Sequence, residues 1–251
     1  IIGAESIFYN FSGCDTVLRN MMLSTYSNDG QAAKALQLCK KILDESLLLS
    51  DATVIHMLQI SGKTGSVSMC TETHNIIESS SYEFGPHLAN TLAHAYGNCA
   101  SMINAQSVFE KLVNPDIVSW NGLLAGYAHE GDYTASLRTL EEMELSGITP
   151  DEYTFLSILA ACTHAGLVNM GIRIFEHMCN HYAIAPEIKH YICVIDLLGR
   201  AGDFKRAEDI LQSMPTQADV ATWSCLVRAC RTHDNIDLEK HALDLAVCLQ
   251  S

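Results

Sequence analysis

Positive charge is scarce in this 251-residue chain, where 15 Lys and Arg residues face 29 Asp and Glu residues and the formal net charge is −14. Such a balance repels phosphate at long range, so any affinity for a nucleic acid must come from local geometry and base contacts. Long apolar runs are missing as well, since stretches such as 158–162 and 191–198 are too short and too interrupted to span a bilayer. We therefore expect a protein without a membrane-spanning segment.

No Cys-x-x-Cys pair occurs among the ten cysteines, although that spacing is the usual signature of a zinc site or a redox pair. The cysteines recur within apolar helical patterns, as at Cys225 and Cys230, where a thiol packs as a small hydrophobe. We interpret them as reduced core residues of an intracellular or organellar protein. His177 and His181, with Cys179 between them, have metal-like spacing, but surface histidines near a helix C-terminus are the simpler interpretation. The sequence therefore predicts neither a metal nor a cofactor.

Catalytic signatures are missing too, because the chain has no nucleophile elbow, no phosphate-binding loop and no paired carboxylates on a defined scaffold. A cytidine deaminase would need His-x-Glu and a later Pro-Cys-x-x-Cys to hold and activate its zinc, and neither motif occurs. We therefore expect this chain to have no catalytic activity.

Three stretches of the chain do repeat one pattern, and they begin at Thr16, Pro86 and Ile117. Each has Asn at the fifth place and Tyr six residues later, and each leads into a second apolar-periodic run. These runs close on Asp51, Asp116 and Asp151. A repeat of about this period predicts stacked helical hairpins, so function should lie on a repeated surface rather than in one pocket.

The clearest repeat covers residues 117–151. Its first half has apolar residues at helical spacing, a turn containing Gly131 follows, and Leu137, Leu140 and Met143 indicate a second helix. Gly147 and Pro150 then end that helix. The pattern predicts one helix-turn-helix hairpin, and the whole chain is predicted to be all-α.

The same pattern divides the rest of the chain, with two weak places. Residues 52–85 match least well because of Ser-rich and Thr-rich tracts, and Ala100 stands where the sister repeats have Gly30 and Gly131. Because the chain starts at Ile1, we expect a fragment or a processed form. The predicted divisions are 1–15 (a partial repeat, second helix only), 16–51, 52–85, 86–116, 117–151, 152–187, 188–219 and 220–251.

The stretches VSWNGLLAGY, MELSGITPDEYTFLSILAACTHAGLV, HYICVIDLLGRAGDFKRAEDILQSMP and ATWSCLVRACRTHDNIDL strongly resemble pentatricopeptide repeat proteins. They are most similar to the plant-type subclass, in which ordinary, long and short repeats alternate. On this resemblance 16–51 and 117–151 are ordinary, 52–85 and 152–187 are long, and 86–116 and 188–219 are short. Residues 220–251 look like the first extension motif that follows the last short repeat.

The resemblance implies a right-handed α-solenoid that binds single-stranded RNA, one base per repeat, with base identity read by the fifth and last residues. An Asn amide offers a donor and an acceptor to a base edge, and a carboxylate at the repeat boundary can fix that amide. In the family this combination favours uridine, and an apolar second residue wedges between bases, a role that Val17 and Val118 match. The implied base-reading pairs are Asn20 with Asp51, Asn90 with Asp116, and Asn121 with Asp151.

Other repeats depart from this pattern: they present His56 with Gly85, Leu156 with Glu187, and Ile192 with Asp219. Leu and Ile cannot hydrogen-bond a base, so we expect those positions to carry little sequence information. Arg200 is the one convincing candidate for a phosphate contact near a turn. Asn and Asp at these places are also ordinary helix-capping residues, which is the alternative interpretation of any single pair.

The resemblance further implies a role in a mitochondrion or chloroplast, in RNA processing and in particular C-to-U RNA editing. Residues 220–251 would then position or recruit a cytidine deaminase or editing cofactor. The competing function is a protein-interaction scaffold without RNA binding, which the acidic charge and the eroded 52–85 repeat favour and the Asn and Asp pairs oppose.

Overall fold

Helices follow one another in pairs throughout the computed structural model, which describes residues 16–44, 49–79, 85–215 and 218–248. No strand occurs within these ranges, so the all-α prediction is confirmed, while the partial repeat predicted at 1–15 lies outside them. None of the described helices has the length and apolar composition that crossing a bilayer requires. The helices are α1 (Thr16–Asn28), α2 (Ala32–Asp44), α3 (Asp51–Thr64), α4 (Val67–Ser79), α5 (Pro86–Asn98), α6 (Met102–Glu110), α7 (Ile117–Glu130), α8 (Tyr133–Leu145), α9 (Glu152–Ala165), α10 (Val168–Asn180), α11 (Ile188–Arg200), α12 (Phe204–Ser213), α13 (Val220–Thr232) and α14 (Ile236–Cys248).

The chain divides into an N-terminal body that ends at Gly126 and a C-terminal body that begins at Tyr127. In the N-terminal body, α1 and α2, α3 and α4, and α5 and α6 pack as hairpins, and the first helices α1, α3 and α5 lie side by side. In the C-terminal body, α9 and α10, α11 and α12, and α13 and α14 form hairpins, and α9, α11 and α13 lie side by side. Each body therefore presents a row of first helices.

The repeat at 52–85, which matches the pattern least well, nevertheless forms a hairpin from α3 and α4. Its boundary differs from the predicted one by a residue. Ser50 has extended backbone and its Oγ accepts the Thr53 N–H at 3.2 Å, so Ser50 is the N-cap and Asp51 is already the first residue of α3. The repeat that starts with α3 therefore begins at Asp51 rather than at residue 52.

The turn of the 86–116 repeat forms without a glycine. Ala100 has φ 54°, the left-handed conformation that Gly131 adopts at φ 71° in the next repeat. A residue with a Cβ pays about 1 kcal/mol for this conformation. The turn is therefore built by the surrounding hairpin and does not depend on local glycine chemistry.

The aromatic and Met side chains of the helices are mostly core. Tyr96, Phe155 and Met143 are essentially inaccessible to solvent, whereas Phe175 is only half-buried. The cysteines whose side chains are described are free thiols, and most of them are buried among these apolar residues. These thiols pack as small hydrophobes, as their helical spacing predicts.

Two glycines allow α5 and α7 to approach closely within the N-terminal body. A Cβ added at Gly97 would lie 3.0 Å from the Gly126 Cα, and a Cβ added at Gly126 would lie 2.4 Å from the Met102 Sδ. Real Cβ atoms essentially never come as close as the second distance, and the first is tighter than most real Cβ contacts. Backbone therefore packs directly on backbone at this crossing, which fixes the spacing of the first helices next to Asn90 and Asn121.

Candidate nucleic-acid interface

Several first helices in the two bodies begin at a side chain that caps the helix. In the Asp caps the cap oxygen accepts the backbone N–H and the hydroxyl of the residue three places on, and in the Ser cap it accepts that N–H and shares a hydrogen bond with that hydroxyl. Both arrangements close the first turn. These caps are Ser50 with Thr53, Asp116 with Ser119, Asp151 with Thr154, and Asp219 with Thr222. The hydroxyl partners are all buried. Two of these caps also accept a hydrogen bond from the preceding repeat, Ser50 from Asn20 and Asp116 from Asn90, so a single residue can both start a helix and contact the preceding repeat.

Asp116 shows both roles at once. Its Oδ1 accepts the Ser119 N–H at 2.9 Å and the Ser119 hydroxyl at 2.8 Å, and the Asn90 Nδ2 donates to the same oxygen at 3.4 Å. The pKa of the Asp116 carboxyl lies below its ordinary value, chiefly because the Ser119 N–H donates to it, with further help from the Ser119 hydroxyl and the Asn90 amide. The carboxylate is therefore ionised at neutral pH and orients the Asn90 amide.

Asn20 finds a different partner from the predicted one. Its Nδ2 donates to the Ser50 Oγ at 3.4 Å, because Ser50 occupies the cap position, and Asp51 lies in the exposed first turn of α3. The structure therefore brings Asn20 to Ser50 rather than to Asp51. Reading the closing Asp51 as the last residue of the repeat places the boundary one residue too late.

The third predicted pair is built from equivalent positions. Asn121 is half-buried at the fifth place of α7 in the N-terminal body, and Asp151 caps α9 in the C-terminal body. The Asp151 Oδ1 accepts the Tyr153 N–H at 3.0 Å and the Thr154 N–H at 2.9 Å, and the Thr154 hydroxyl in turn accepts the Asp151 N–H at 3.1 Å. This capping box holds the Asp151 carboxylate in one orientation.

The amide oxygens of Asn20 and Asn90 are enclosed and, within the described part of the chain, lack a hydrogen-bonding partner. A buried carbonyl oxygen without a partner is costly, and most such groups in proteins are satisfied. Each of these Asn side chains therefore has unused hydrogen-bonding capacity in the protein alone.

The second residue of each first helix is exposed in several repeats. Val17 is 61% exposed and Val118 is 60% exposed, which is unusual for Val and suits a side chain that contacts a flat ligand. Tyr153, at the same place in α9, is 55% exposed, and the Lys189 Nζ lies 3.8 Å from the centre of its ring. Sequence reasoning missed Tyr153, although its place directly after Glu152, the first residue of α9, matches that of Val118 in α7.

Arg200 lies at the end of α11 with its side chain 53% exposed. Its Nε donates to the Asp196 Oδ2 at 2.9 Å. The remaining N–H groups of the guanidinium are the part that could meet a phosphate, because a guanidinium carries five donors. The predicted phosphate contact is therefore partly engaged within the protein.

The repeats predicted to carry little information have no amide at the fifth place. Counting from the first residue of each helix, Ile55 in α3, Leu156 in α9 and Ile192 in α11 take that place, and all three are half-buried. His56, predicted for α3, lies one residue further on because the boundary is shifted. Apolar side chains at these positions can contact a base but cannot hydrogen-bond its edge.

The histidine pair in the C-terminal body is an aromatic stack. The rings of His177 and His181 lie 4.7 Å apart and nearly parallel, and Tyr182 packs edge-on against both. No group of three or more His, Cys, Asp or Glu side chains that could hold a metal ion is found in the part of the chain that the structure describes.

Tandem hairpins whose first helices lie in rows define the class of helical-repeat proteins. Comparison with known proteins identifies the type of repeat. A model of the PPR repeat family matches residues 115–164, and a model of the PPR repeat matches residues 153–181 and 190–217. The chain belongs to the pentatricopeptide repeat family.

Relatives and a solved structure agree with this assignment. The chain is 34% identical over 231 residues to pentatricopeptide repeat-containing protein At3g03580 of Arabidopsis thaliana. That alignment covers 92% of this chain and 26% of the relative. It is 37% identical over 217 residues to the chloroplastic protein ELI1 of the same plant, covering 86% of this chain and 34% of the relative. The mitochondrial protein At1g56690, also from Arabidopsis thaliana, is 30% identical over 221 residues, covering 88% of this chain and 31% of the relative. The chain thus spans about a third or less of these relatives.

Among solved structures, the pentatricopeptide repeat protein PPR10 in complex with an 18-nt psaJ RNA element superposes with a TM-score of 0.73. The alignment has 20% sequence identity and covers 97% of this chain and 36% of PPR10, which comes from maize. At this identity the likeness concerns the fold, and it establishes the α-solenoid architecture of tandem hairpins.

Proposed function

We propose that this chain binds single-stranded RNA through its rows of first helices and reads part of the sequence there. The observation that carries the proposal is the contact between Asn90 and Asp116, in which an ionised carboxylate orients the amide at the fifth place of a first helix. PPR10, which shares the fold, was solved in complex with an RNA element, and this supports the same function here.

Base reading follows from the chemistry of an amide next to a carboxylate. Asn90, oriented by Asp116, presents an amide to the Watson–Crick edge of an unstacked base, and Asn121 presents an amide at the same place of α7. The preference for uridine is what the family resemblance implies for Asn at the fifth place with Asp at the last place, as in Asn90 with Asp116 and Asn121 with Asp151. Asn20 has Ser50 at the equivalent place, with Asp51 beside it, so its preference is set by a hydroxyl. This proposal keeps uridine for the repeats of Asn90 and Asn121 and assigns Asn20 a different environment.

Base stacking is the second part of the proposed interaction. Val17, Val118 and Tyr153 expose apolar or aromatic surface at the second place of α1, α7 and α9. Contact between a base and an aromatic ring contributes about 1–3 kcal/mol and is tolerant of sequence. We therefore assign these side chains to affinity and the Asn side chains to selectivity, with Arg200 contributing a phosphate contact.

The proposed context is RNA processing in a mitochondrion or chloroplast, with C-to-U editing as the specific process. The names of the relatives ELI1 and At1g56690, chloroplastic and mitochondrial, support an organelle. The alternation of ordinary, long and short repeats, followed by an extension motif at 220–251, supports editing. On this proposal the chain supplies recognition, and residues 220–251 recruit a cytidine deaminase or editing cofactor that supplies the chemistry.

A titration with matched RNAs tests the proposal. Fluorescence anisotropy would compare a single strand carrying two uridines at the spacing of the two Asn repeats with a strand carrying cytidines at the same places. We expect tighter binding of the uridine strand, and we expect Asn121→Ala to reduce the difference. Asn104→Ala, an exposed Asn on the second helix α6, is the matched control. Equal and negligible binding of both strands would favour the protein-interaction scaffold instead.

A further inference from the structure

A groove of about 450 Å³ lies on the first-helix side of the C-terminal body, along α9, α11 and α13. The fifth residues Ile192 and Ser224 both line it, as do Thr163, Asp196 and Arg228. The groove is therefore located where a bound strand would pass, in a part of the body where Ile192 cannot hydrogen-bond a base. Its polar groups come chiefly from one cluster.

Asp196 is the centre of this cluster and is only 9% exposed. Its Oδ1 accepts from the Arg228 Nη2 at 2.7 Å and from the Cys225 Sγ at 3.3 Å, and its Oδ2 accepts from the Arg200 Nε at 2.9 Å. Burial alone would raise the pKa of Asp196, but the bonds from Arg228 and Cys225, together with the charges of both arginines, hold the pKa below its ordinary value. One ionised carboxylate therefore fixes two arginines that belong to successive first helices.

The cluster has a surplus of positive charge. Two guanidiniums share a single carboxylate, which leaves one net positive charge at this place in a chain of net charge −14. The side chain of Arg228 is 65% exposed and that of Arg200 is 53% exposed. A guanidinium has five N–H donors, and the contacts with Asp196 and Cys225 use a minority of them.

We propose that Arg228 and Arg200, held side by side by Asp196, bind one backbone phosphate of the RNA strand at the groove between α11 and α13. This inference rests on the proposed function and extends its phosphate contact from Arg200 alone to a site that two arginines share. Arginine suits the role because its planar fork matches the oxygens of a phosphate. Asp196 acts as a positioning residue, and Arg228 belongs to a segment that the proposed function uses only for recruiting a partner.

The proposed site would anchor the strand without reading it. Phosphate contacts fix the register of a nucleic acid and carry no sequence information directly. A single phosphate anchor beside the apolar Ile192 therefore compensates, at one end of the C-terminal body, for a position without base selectivity. It also provides attraction for RNA that the overall acidic charge of the chain does not.

Salt dependence tests the arginine directly. Each phosphate contact to a single strand adds about 0.7 to the slope of log K against log salt concentration. We expect Arg228→Gln to lower that slope by about 0.7 and to weaken binding about equally for uridine and cytidine strands. Arg206, on α12, is paired with Asp203 and lies outside the proposed site, so Arg206→Gln is the control and should leave the slope unchanged. An unchanged slope for Arg228→Gln in a chain that still binds RNA would overturn the phosphate site and leave the proposed function standing.

The positioning role of Asp196 gives a test of opposite sign. Asp196→Asn removes one negative charge, so simple charge attraction predicts tighter RNA binding. The proposed site predicts weaker binding, because the two guanidiniums lose the group that holds them together. Thermal unfolding of the variant, followed by circular dichroism, would confirm that it is folded at the assay temperature. If Asp196→Asn is folded and binds RNA more tightly than the parent chain, the positioning role is wrong.

Small ligands separate the anion site from RNA binding. The Nε–Hε signals of Arg200 and Arg228 would be followed by NMR during titration with inorganic phosphate, uridine 5′-monophosphate and uridine. We expect shifts with the two phosphates and none with uridine. Shifts with phosphate in a chain that binds no RNA would retain an anion site, but the RNA-backbone assignment and the proposed function would both fail. If neither phosphate shifts these signals and RNA does not bind, both proposals fail.

Discussion

The Asn90 Nδ2 lies 3.4 Å from the Asp116 Oδ1, and the same oxygen receives the Ser119 N–H that begins α7. One carboxylate oxygen therefore serves two successive repeats, closing one and starting the next. The side chain of Asn90 is therefore held by the first turn of the following helix. Its orientation depends on that helix being formed.

Two substitutions at Asp116 separate these roles. Asn caps a helix about as well as Asp, whereas Ala at an N-cap costs about 1 kcal/mol. We expect Asp116→Asn to keep the unfolding free energy, because its Oδ1 can still accept the Ser119 N–H. The preference for uridine should fall about three- to tenfold, because the hydrogen bond from Asn90 loses its charged acceptor, a difference of about 1 kcal/mol. Asp116→Ala should lose both stability and selectivity. Urea unfolding and RNA titration of the two variants provide the measurement, and Asp219→Asn, at a cap whose repeat has Ile192 at the fifth place, is the control for selectivity.

Replacing Ser50 tests the one-residue shift of the repeat boundary. Because Ser50 contacts Asn20 and Asp51 does not, Ser50→Asp should give the Asn20 repeat an oriented amide next to a carboxylate and a new preference for uridine. Asp51→Ala should leave base selectivity at this repeat unchanged. Anisotropy titrations with RNAs that differ at one nucleotide would show the difference. A loss of selectivity in Asp51→Ala alone would restore Asp51 as the partner.

The crossing of α5 and α7 predicts opposite effects for two glycines of the same helix. Gly126→Ala places a methyl 2.4 Å from the Met102 Sδ and 3.1 Å from the Gly97 Cα, so the Met102 side chain must move and the two helices must separate slightly. We expect a cost of about 1 kcal/mol, because the Met side chain is flexible. Gly122→Ala meets nothing within 4 Å and should stabilise the chain by roughly 0.5–1 kcal/mol, because Ala is the better helix former. Urea midpoints of both variants test this, and equal midpoints would mean that the backbones do not touch.

The cap of α13 should make stability depend on pH in the acid range. The pKa of Asp219 is below its ordinary value, first because the Thr222 hydroxyl donates to it and then because the Thr222 N–H does. Because the pKa is lower in the folded chain than in the unfolded chain, the ionised carboxylate stabilises the fold. This stabilisation is fully present above the ordinary Asp pKa of about 3.9 and is lost as the pH falls through the pKa of the folded chain. We therefore expect Asp219→Ala to be less stable than the parent chain at pH 7. The difference should shrink as the pH falls below about 4.

That difference is measured as the gap between two urea midpoints at a series of pH values. Ala221→Gly, in the exposed first turn of the same helix, serves as a control, because its cost arises from helix propensity and does not vary with protonation of Asp219. A gap for Asp219→Ala that stays constant down to pH 2 would show that the carboxylate does not contribute through its charge.

The sequence predicts the hairpins well because apolar spacing and glycine turns act locally. Its errors have specific physical causes. Ser50 and Asp51 are both good capping residues, and only the backbone conformation decides which one caps α3. Ala100 adopts a left-handed conformation that its residue type does not favour, because neighbouring helices impose it. In the Asp196 cluster, Asp196 and Arg228 lie on different helices and are 32 residues apart in the sequence, so no local pattern indicates their contact.

The caps that close these repeats also bear on how such an array can change during evolution. A helix start accepts few residue types, mainly Ser, Thr, Asp and Asn, and each of these also has hydrogen-bonding groups suited to an amide neighbour. The requirements of helix initiation therefore restrict the choice of residues available for recognition. New specificities can arise by exchange within this small set without unfolding the next hairpin, whereas any substitution outside it weakens recognition and architecture together.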